Sequence, residues 1–279
     1  MRRSAGAAGL DNIETVECAA DDLDATQSPF DAAISRLGLM LFPSPRRALE
    51  AVRCVLTPGA RFAALVFTTP ADNPFMAQPM AILLRHAGKS PPERGQPGIF
   101  ALGRDGILEH LMKDSGLVDV ETRAVRAPLS LPRAFDALEM MQQAFGAYRA
   151  VVADLSDTER SKAWNDVHEC LKQFETGNGF TTGLEFNWVG CQTTGLTNQG
   201  LLSVGYAPVN ATSAFYGPAC LLLALRVISR GRSSQVAFGE KRTSIGRQDR
   251  PVRSRMMLWT APTLRHRSAI WWLRLSKPH

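Results

Sequence analysis

The chain has 279 residues, 45% hydrophobic and 21% charged, with a net charge of +6, proportions that suit a soluble globular protein with a substantial core. No run of about 18 apolar residues exists to make a transmembrane helix, and the start, MRRSAGAAGLDN, lacks the apolar stretch of a signal peptide. The positive charge is confined to one end: residues 191–279 carry thirteen Lys and Arg against two acids, a net of +11, whereas residues 1–190 carry 19 basic and 24 acidic residues, a net of −5, so the main body has no electrostatic footprint for nucleic acid.

Residues 12–18 (NIETVEC) alternate and predict a short strand. Residues 30–39 (FDAAISRLGL) are mostly apolar, as in a strand buried on both faces. Ser44 is placed to cap a helix with Pro45 at its first position, where a missing N–H costs nothing. Ala48, Leu49, Val52, Val55 and Leu56 then form one apolar stripe at helical period, and Thr57-Pro58-Gly59 ends it. Residues 61–68 (RFAALVFT) predict the next strand. A strand, helix and strand in close succession imply a parallel crossover.

A Pro- and Gly-rich stretch, 69–98, has room for a short helix over 76–86. Residues 103–116 predict a helix with Ile107, Leu108, Leu111 and Met112 on one face and Gly116 as its stop. Residues 118–127 alternate and predict a strand. Residues 132–153 predict one long amphipathic helix using Phe135, Leu138, Met141, Phe145 and Val152. Ser156-Asp157-Thr158-Glu159 is a capping box opening another helix, with Trp164, Val167, Leu171 and Phe174 inward. Residues 184–190 suit a last strand. Beyond 190 the pattern fails: 191–240 is rich in Gly, Ser and Thr, and 241–279 is rich in Arg. There is no internal repeat. The five cysteines are scattered without a C-x-x-C pair, which suits reduced thiols in the cytoplasm and marks no metal site.

Four stretches carry a resemblance. Phe30-Asp31-Ala32-Ala33-Ile34-Ser35-Arg36, Met40-Leu41-Phe42-Pro43-Ser44-Pro45, residues 53–61 (RCVLTPGAR) and residues 114–120 (DSGLVDV) stand in order and at spacings similar to those of class I S-adenosylmethionine-dependent methyltransferases of the UbiE-like, small-molecule branch. The resemblance covers roughly residues 1–190. It implies an α/β, Rossmann-like sheet with helices on both faces and a helical cap. It divides the chain into a partial α/β core over 1–128, a cap and last strand over 129–190, and a basic tail of low order over 191–279 outside the family domain. It also implies S-adenosyl-L-methionine as cofactor and a small-molecule acceptor.

Two parts of the family pattern are missing. The family's glycine loop follows its first strand, and an acid at the end of its second strand holds the ribose. This sequence has no G-x-G-x-G, and by the alignment it enters the family domain about a third of the way in. In the family those two strands lie between the third and the fourth. Their loss predicts an open sheet edge and self-association through it. The residues the resemblance places near the cofactor are Ala19, Ala20 and Asp21, with Asp22 beside them, and the strand end Ser35-Arg36-Leu37, since ligands in open α/β sheets lie at the carboxyl ends of strands. A solvated acidic turn and a surface arginine are the plain alternatives for Asp21 and Arg36. His110 and His168 are base candidates by residue type alone. The alternative function is a non-catalytic remnant or binding module. The tail reads as an extension that could be deleted without loss of solubility, or as a basic arm for nucleic acid or anionic lipid anchored by Trp259, Trp271 and Trp272.

Overall fold

A computed structural model describes residues 13–23, 30–194, 254–260 and 269–275. The strands are β1 (Ile13–Glu17), β2 (Phe30–Arg36), β3 (Leu56–Phe67), β4 (Leu117–Leu131), β5 (Glu175–Thr176), β6 (Gly179–Thr193), β7 (Ser254–Thr260) and β8 (Ala269–Leu275). The helices are α1 (Pro45–Val55), α2 (Pro74–His86), α3 (Ile107–Asp114), α4 (Ala134–Ala144), α5 (Gly146–Val151) and α6 (Asp157–Leu171). One sheet runs β1-β8-β7-β2-β3-β6-β4, with β5 paired to β6. The fold is α/β.

β2 and β3 are adjacent and parallel, with Ala33 opposite Phe62 and Ser35 opposite Ala64, as the crossover pattern requires. The α1 stripe is buried as expected, at Ala48, Leu49, Val52 and Val55. Ser44 makes no side-chain cap; its carbonyl accepts from Ala48 N instead. The 57–59 turn keeps the positive φ of Gly59 but lies within β3, where the pairing with β2 jumps from Leu56 to Arg61. α1 and α3 share one face of the sheet: Arg46 donates to the Asp114 carbonyl, and Met112 of α3 meets Cys191 of β6. Gly116 ends α3 with φ +78, a value a side chain would resist. On the α3 stripe Leu108 and Met112 are buried, but Ile107 is 44% exposed.

Two cap expectations change. Residues 132–153 break into α4 and α5 at Phe145, whose ψ of 91 leaves the helical region. Gly146 follows, and glycine is a poor interior helix residue. The break lets Tyr148 sink into the core and donate to the Met76 carbonyl at 2.6 Å. Phe135, expected on the apolar stripe, is 49% exposed and lies edge-on to His168. The Ser156–Glu159 capping box forms with both of its reciprocal bonds. Phe75, Phe174 and Phe180 cluster edge to face where α2 meets the base of the cap.

Two buried weak acids should make the fold sensitive to alkali. Burial pushes the Cys191 thiol up to about 12 and raises the Tyr148 hydroxyl well above its usual range. Above the thiol's ordinary value the unfolded chain releases protons that the folded chain retains, so raising the pH favours unfolding. The melting temperature is expected to hold near neutrality and to fall progressively above about pH 9. Replacing Cys191 by Ala and Tyr148 by Phe should flatten that fall in scanning calorimetry.

The largest difference from expectation is in the tail. Ser254–Thr260 and Ala269–Leu275 pair into the sheet. They occupy the two places between β1 and β2 that the resemblance assigns to the family's first two strands. The rest of 195–253, with residues 1–12, 24–29, 261–268 and 276–279, lies outside the described residues, and so do the side chains of Trp259, Trp271 and Trp272. Among the described residues no helix is long and apolar enough to cross a membrane.

Candidate functional site

Strand direction determines which residues meet. β2, β3 and β7 are mutually parallel, β8 is antiparallel to β7, and β1 is antiparallel to β8. β1 therefore points the same way as β2, and the carboxyl ends of β1, β2, β3 and β7 share one sheet edge. Ala19–Asp22, Ser35–Leu37 and Thr68–Asn73 follow or end those strands and gather there. In open parallel sheets this edge is where ligands bind.

The turn after β1 is closed by Asp22 N donating to the Ala19 carbonyl at 3.1 Å. Ala20 is buried in the core, while Asp21 and Asp22 are exposed and Asp21 lies 3.8 Å from Arg47 of α1. An exposed acid paired with an exposed arginine contributes little, so the Asp21 side chain gains no fixed position from it. Ser35 is 0% exposed, and its hydroxyl has no hydrogen-bond partner among the described residues. Such a group costs about 1–3 kcal/mol until it is satisfied. Arg36 is half-buried at the strand end. Leu37 takes φ +54 while its N–H donates to the Leu65 carbonyl at 2.9 Å. A leucine in the left-handed region stores roughly 1–2 kcal/mol of strain, and strained non-glycine residues gather at ligand sites.

The end of β3 is fastened more firmly. Asn73 is fully buried; its amide nitrogen lies 2.9 Å from Thr68 Oγ1, 3.0 Å from the Glu185 carbonyl and 3.2 Å from the Thr69 carbonyl. Its amide oxygen accepts from Glu185 N at 2.9 Å. The Glu185 carboxylate receives Arg126 at 2.5 Å, which raises the affinity of that guanidinium for its proton. Neither Asn73 nor Glu185 carries a sequence signal. Their link spans 112 residues, and only the meeting of β3 and β6 creates it.

Among the described residues, the contacts of the two histidine candidates lie away from this edge. His110 Nδ1 donates to the Gly106 carbonyl at 2.7 Å, one turn back on α3. His168 packs on Phe135 within the cap. A histidine not singled out in the sequence, His86, lies 2.7 Å from Asp166 and joins α2 to α6. No group of three or more metal-ligating side chains forms among the described residues.

No protein-family model matches the sequence, and no curated protein matches it. Among solved structures, the YcgJ protein from Bacillus subtilis aligns at 16% identity and a TM-score of 0.41, over 69% of this chain and 76% of that one. A SAM-dependent methyltransferase from Methanosarcina mazei aligns at 15% identity and a TM-score of 0.29, over 61% of each chain. Phosphoethanolamine N-methyltransferase 2 from Haemonchus contortus, in complex with S-adenosyl-L-methionine, aligns at 13% identity and a TM-score of 0.28, over 61% of this chain and 36% of its own. Likenesses this distant say nothing about chemistry.

A buried hydroxyl at Ser35 with no partner among the described residues, the buried Ala20 turn and the strained Leu37 lie on one sheet edge, where the resemblance would put the adenine end of S-adenosylmethionine. The described residues do not fit its ribose and carboxylate end. No G-x-G-x-G exists in the sequence. β8 runs antiparallel in the second strand's place, so its carboxyl end, where an acid would meet the ribose, lies at the opposite sheet edge.

Proposed function

We propose that this chain is a methyltransferase-type α/β domain whose carboxyl edge takes S-adenosylmethionine, for methyl transfer to a small-molecule acceptor. The observation that carries the reading is the convergence of the Ala19–Asp22 turn, the orphaned Ser35 hydroxyl and the strained Leu37 on one edge of a parallel β2–β3 core. Ala19, Ala20 and Asp21 would line the adenine, with Ser35 as a hydrogen-bonding partner and Arg36 and Leu37 at the rim. When bound, the cofactor supplies a sulfonium methyl group. The chain's own part is to position the two reactants and exclude water, and helices α4–α6 are the elements available to cover the acceptor. The division into a core over 1–128 and a cap over 129–190 belongs to the same reading, as does a reducing, cytoplasmic setting for its free thiols.

A second reading has its own support. β7 and β8 stand where the resemblance puts the strands of the glycine loop, and neither brings that loop. That favours a binding module that retains the architecture without catalysis.

Isothermal titration with S-adenosylhomocysteine, alone and in the Ser35→Ala variant, separates the two. On the first reading the wild-type chain binds with measurable heat. Ser35→Ala then melts at the same temperature or slightly higher, because it removes an unsatisfied buried hydroxyl, and binds several-fold more weakly. No binding by a folded wild-type chain at millimolar ligand would discard the methyltransferase reading.

A further inference from the structure

β1 and β2 are separated in the chain by only 12 residues, 18–29, yet three strand spacings part them in the sheet, about 14 Å. Among the described residues β1 pairs with β8 alone, from Ile13 opposite Leu273 to Glu17 opposite Ala269. The outer side of β2 pairs with β7 from Ala32 opposite Met256 to Arg36 opposite Thr260. β7 and β8 pair with each other over Ser254–Trp259. Three consecutive ladders therefore run through one segment, and every sheet contact between β1 and the remaining strands passes along it. The backbone donors and acceptors on the facing sides of β1 and β2 would otherwise be unpaired.

We infer that the two-strand slot between β1 and β2 is an intramolecular docking surface whose occupants are the chain's own strands Ser254–Thr260 and Ala269–Leu275, and that these strands hold the Ala19–Asp22 turn in register with Ser35–Leu37. The pairing identifies the occupant: β7 lies parallel along the β2 side and β8 lies antiparallel along the β1 side. The two strands are seven residues long each, and they pair at five positions with β1 and at five with β2. The composition also fits, because Ala269–Leu275 reads AIWWLRL, rich in residues that favour strands. The C-terminal region is then a working part of the sheet and not a removable extension.

Hydrogen–deuterium exchange on the full-length chain tests this. In the wild type, amides of Ile13–Glu17 and Phe30–Arg36 should exchange at least 100-fold more slowly than unstructured peptide. A variant carrying Met256→Pro and Met257→Pro removes one ladder donor toward each neighbour of β7, since consecutive N–H groups in a strand point to opposite sides. In it, Ile13–Glu17 and the β7-facing amides of Phe30–Arg36 should lose that protection while Leu56–Phe67 and Gly179–Thr193 keep theirs. Should the variant fail to fold, the wild-type rates decide the matter. Unprotected Ile13–Glu17 in the wild type, or unchanged rates in a folded variant, would overturn the assignment. So would protection that appears only when the chain dimerises, which would give the strands to a second copy.

Discussion

Gly103→Ala is expected to destabilise the protein by about 3 kcal/mol or more, at the upper end of overpacking effects. That corresponds to a melting temperature lower by roughly 6–12 °C for a chain of this size. A Cβ at Gly103 would lie 2.0 Å from the Thr68 carbonyl oxygen and 2.6 Å from that of Phe67. Both are backbone atoms at the end of β3, so no side chain can swing aside to relieve the clash. The loop cannot back away freely either, because the Gly103 carbonyl accepts from Asn187 Nδ2 at 2.9 Å. Gly183→Ala is the control: nothing lies within 4 Å of its added carbon, and its melting point should move little. Thermal and urea denaturation of the two variants makes the comparison. Equal stabilities would mean that the loop yields and that the close approach is not structural.

Asn73→Ala should cost about 2–4 kcal/mol, the usual range when a buried hydrogen-bonded network loses a member. The Glu185 N–H loses its partner outright, whereas the Glu185 carbonyl keeps the Thr68 N–H at 3.1 Å. Asn73→Asp is the more informative change. A carboxylate there keeps an acceptor for Glu185 N but faces the carbonyls of Thr69 and Glu185 with no donor. Burial and those carbonyls favour the protonated acid, so its folded-state pKa is raised. A raised pKa gives stability that is present at low pH and lost as pH rises through the folded value. The deficit of Asn73→Asp relative to wild type should therefore shrink as pH falls from 7 toward 4. A deficit that stays constant would show that the amide's donors do not matter.

These two positions also mark how far sequence patterns reach. The β2–α1–β3 unit was legible because its information is local: an apolar run, a helical stripe and a Thr-Pro-Gly turn. The capping box at Ser156 was legible for the same reason. The break at Phe145 was not, because the apolar period continues through it, a single Gly146 does not by itself end a helix, and the burial of Tyr148 against Met76 that accompanies the break joins distant segments. The placement of β7 and β8 was hidden by their setting in an Arg-rich stretch without period, although AIWWLRL has strand composition. At the candidate site the strand ends Ser35–Leu37 and the Ala19–Asp22 turn followed from the topology of the resemblance. The Asn73–Glu185 link and the Gly103 contact did not, because each depends on two segments far apart in sequence meeting at one strand end.

β3 stops pairing at Phe67, opposite Phe186, while β4 and β6 continue together as far as Leu131 and Phe180. Beyond that level the β4–β6 ribbon is flanked within the sheet by the two-residue β5, and narrow ribbons twist more readily than wide sheets. Asn73 grips Glu185 at the root of this ribbon. Its side chain thus fastens the ribbon where β3 leaves it, so loosening it should show up as a change in ribbon twist before any strand is lost.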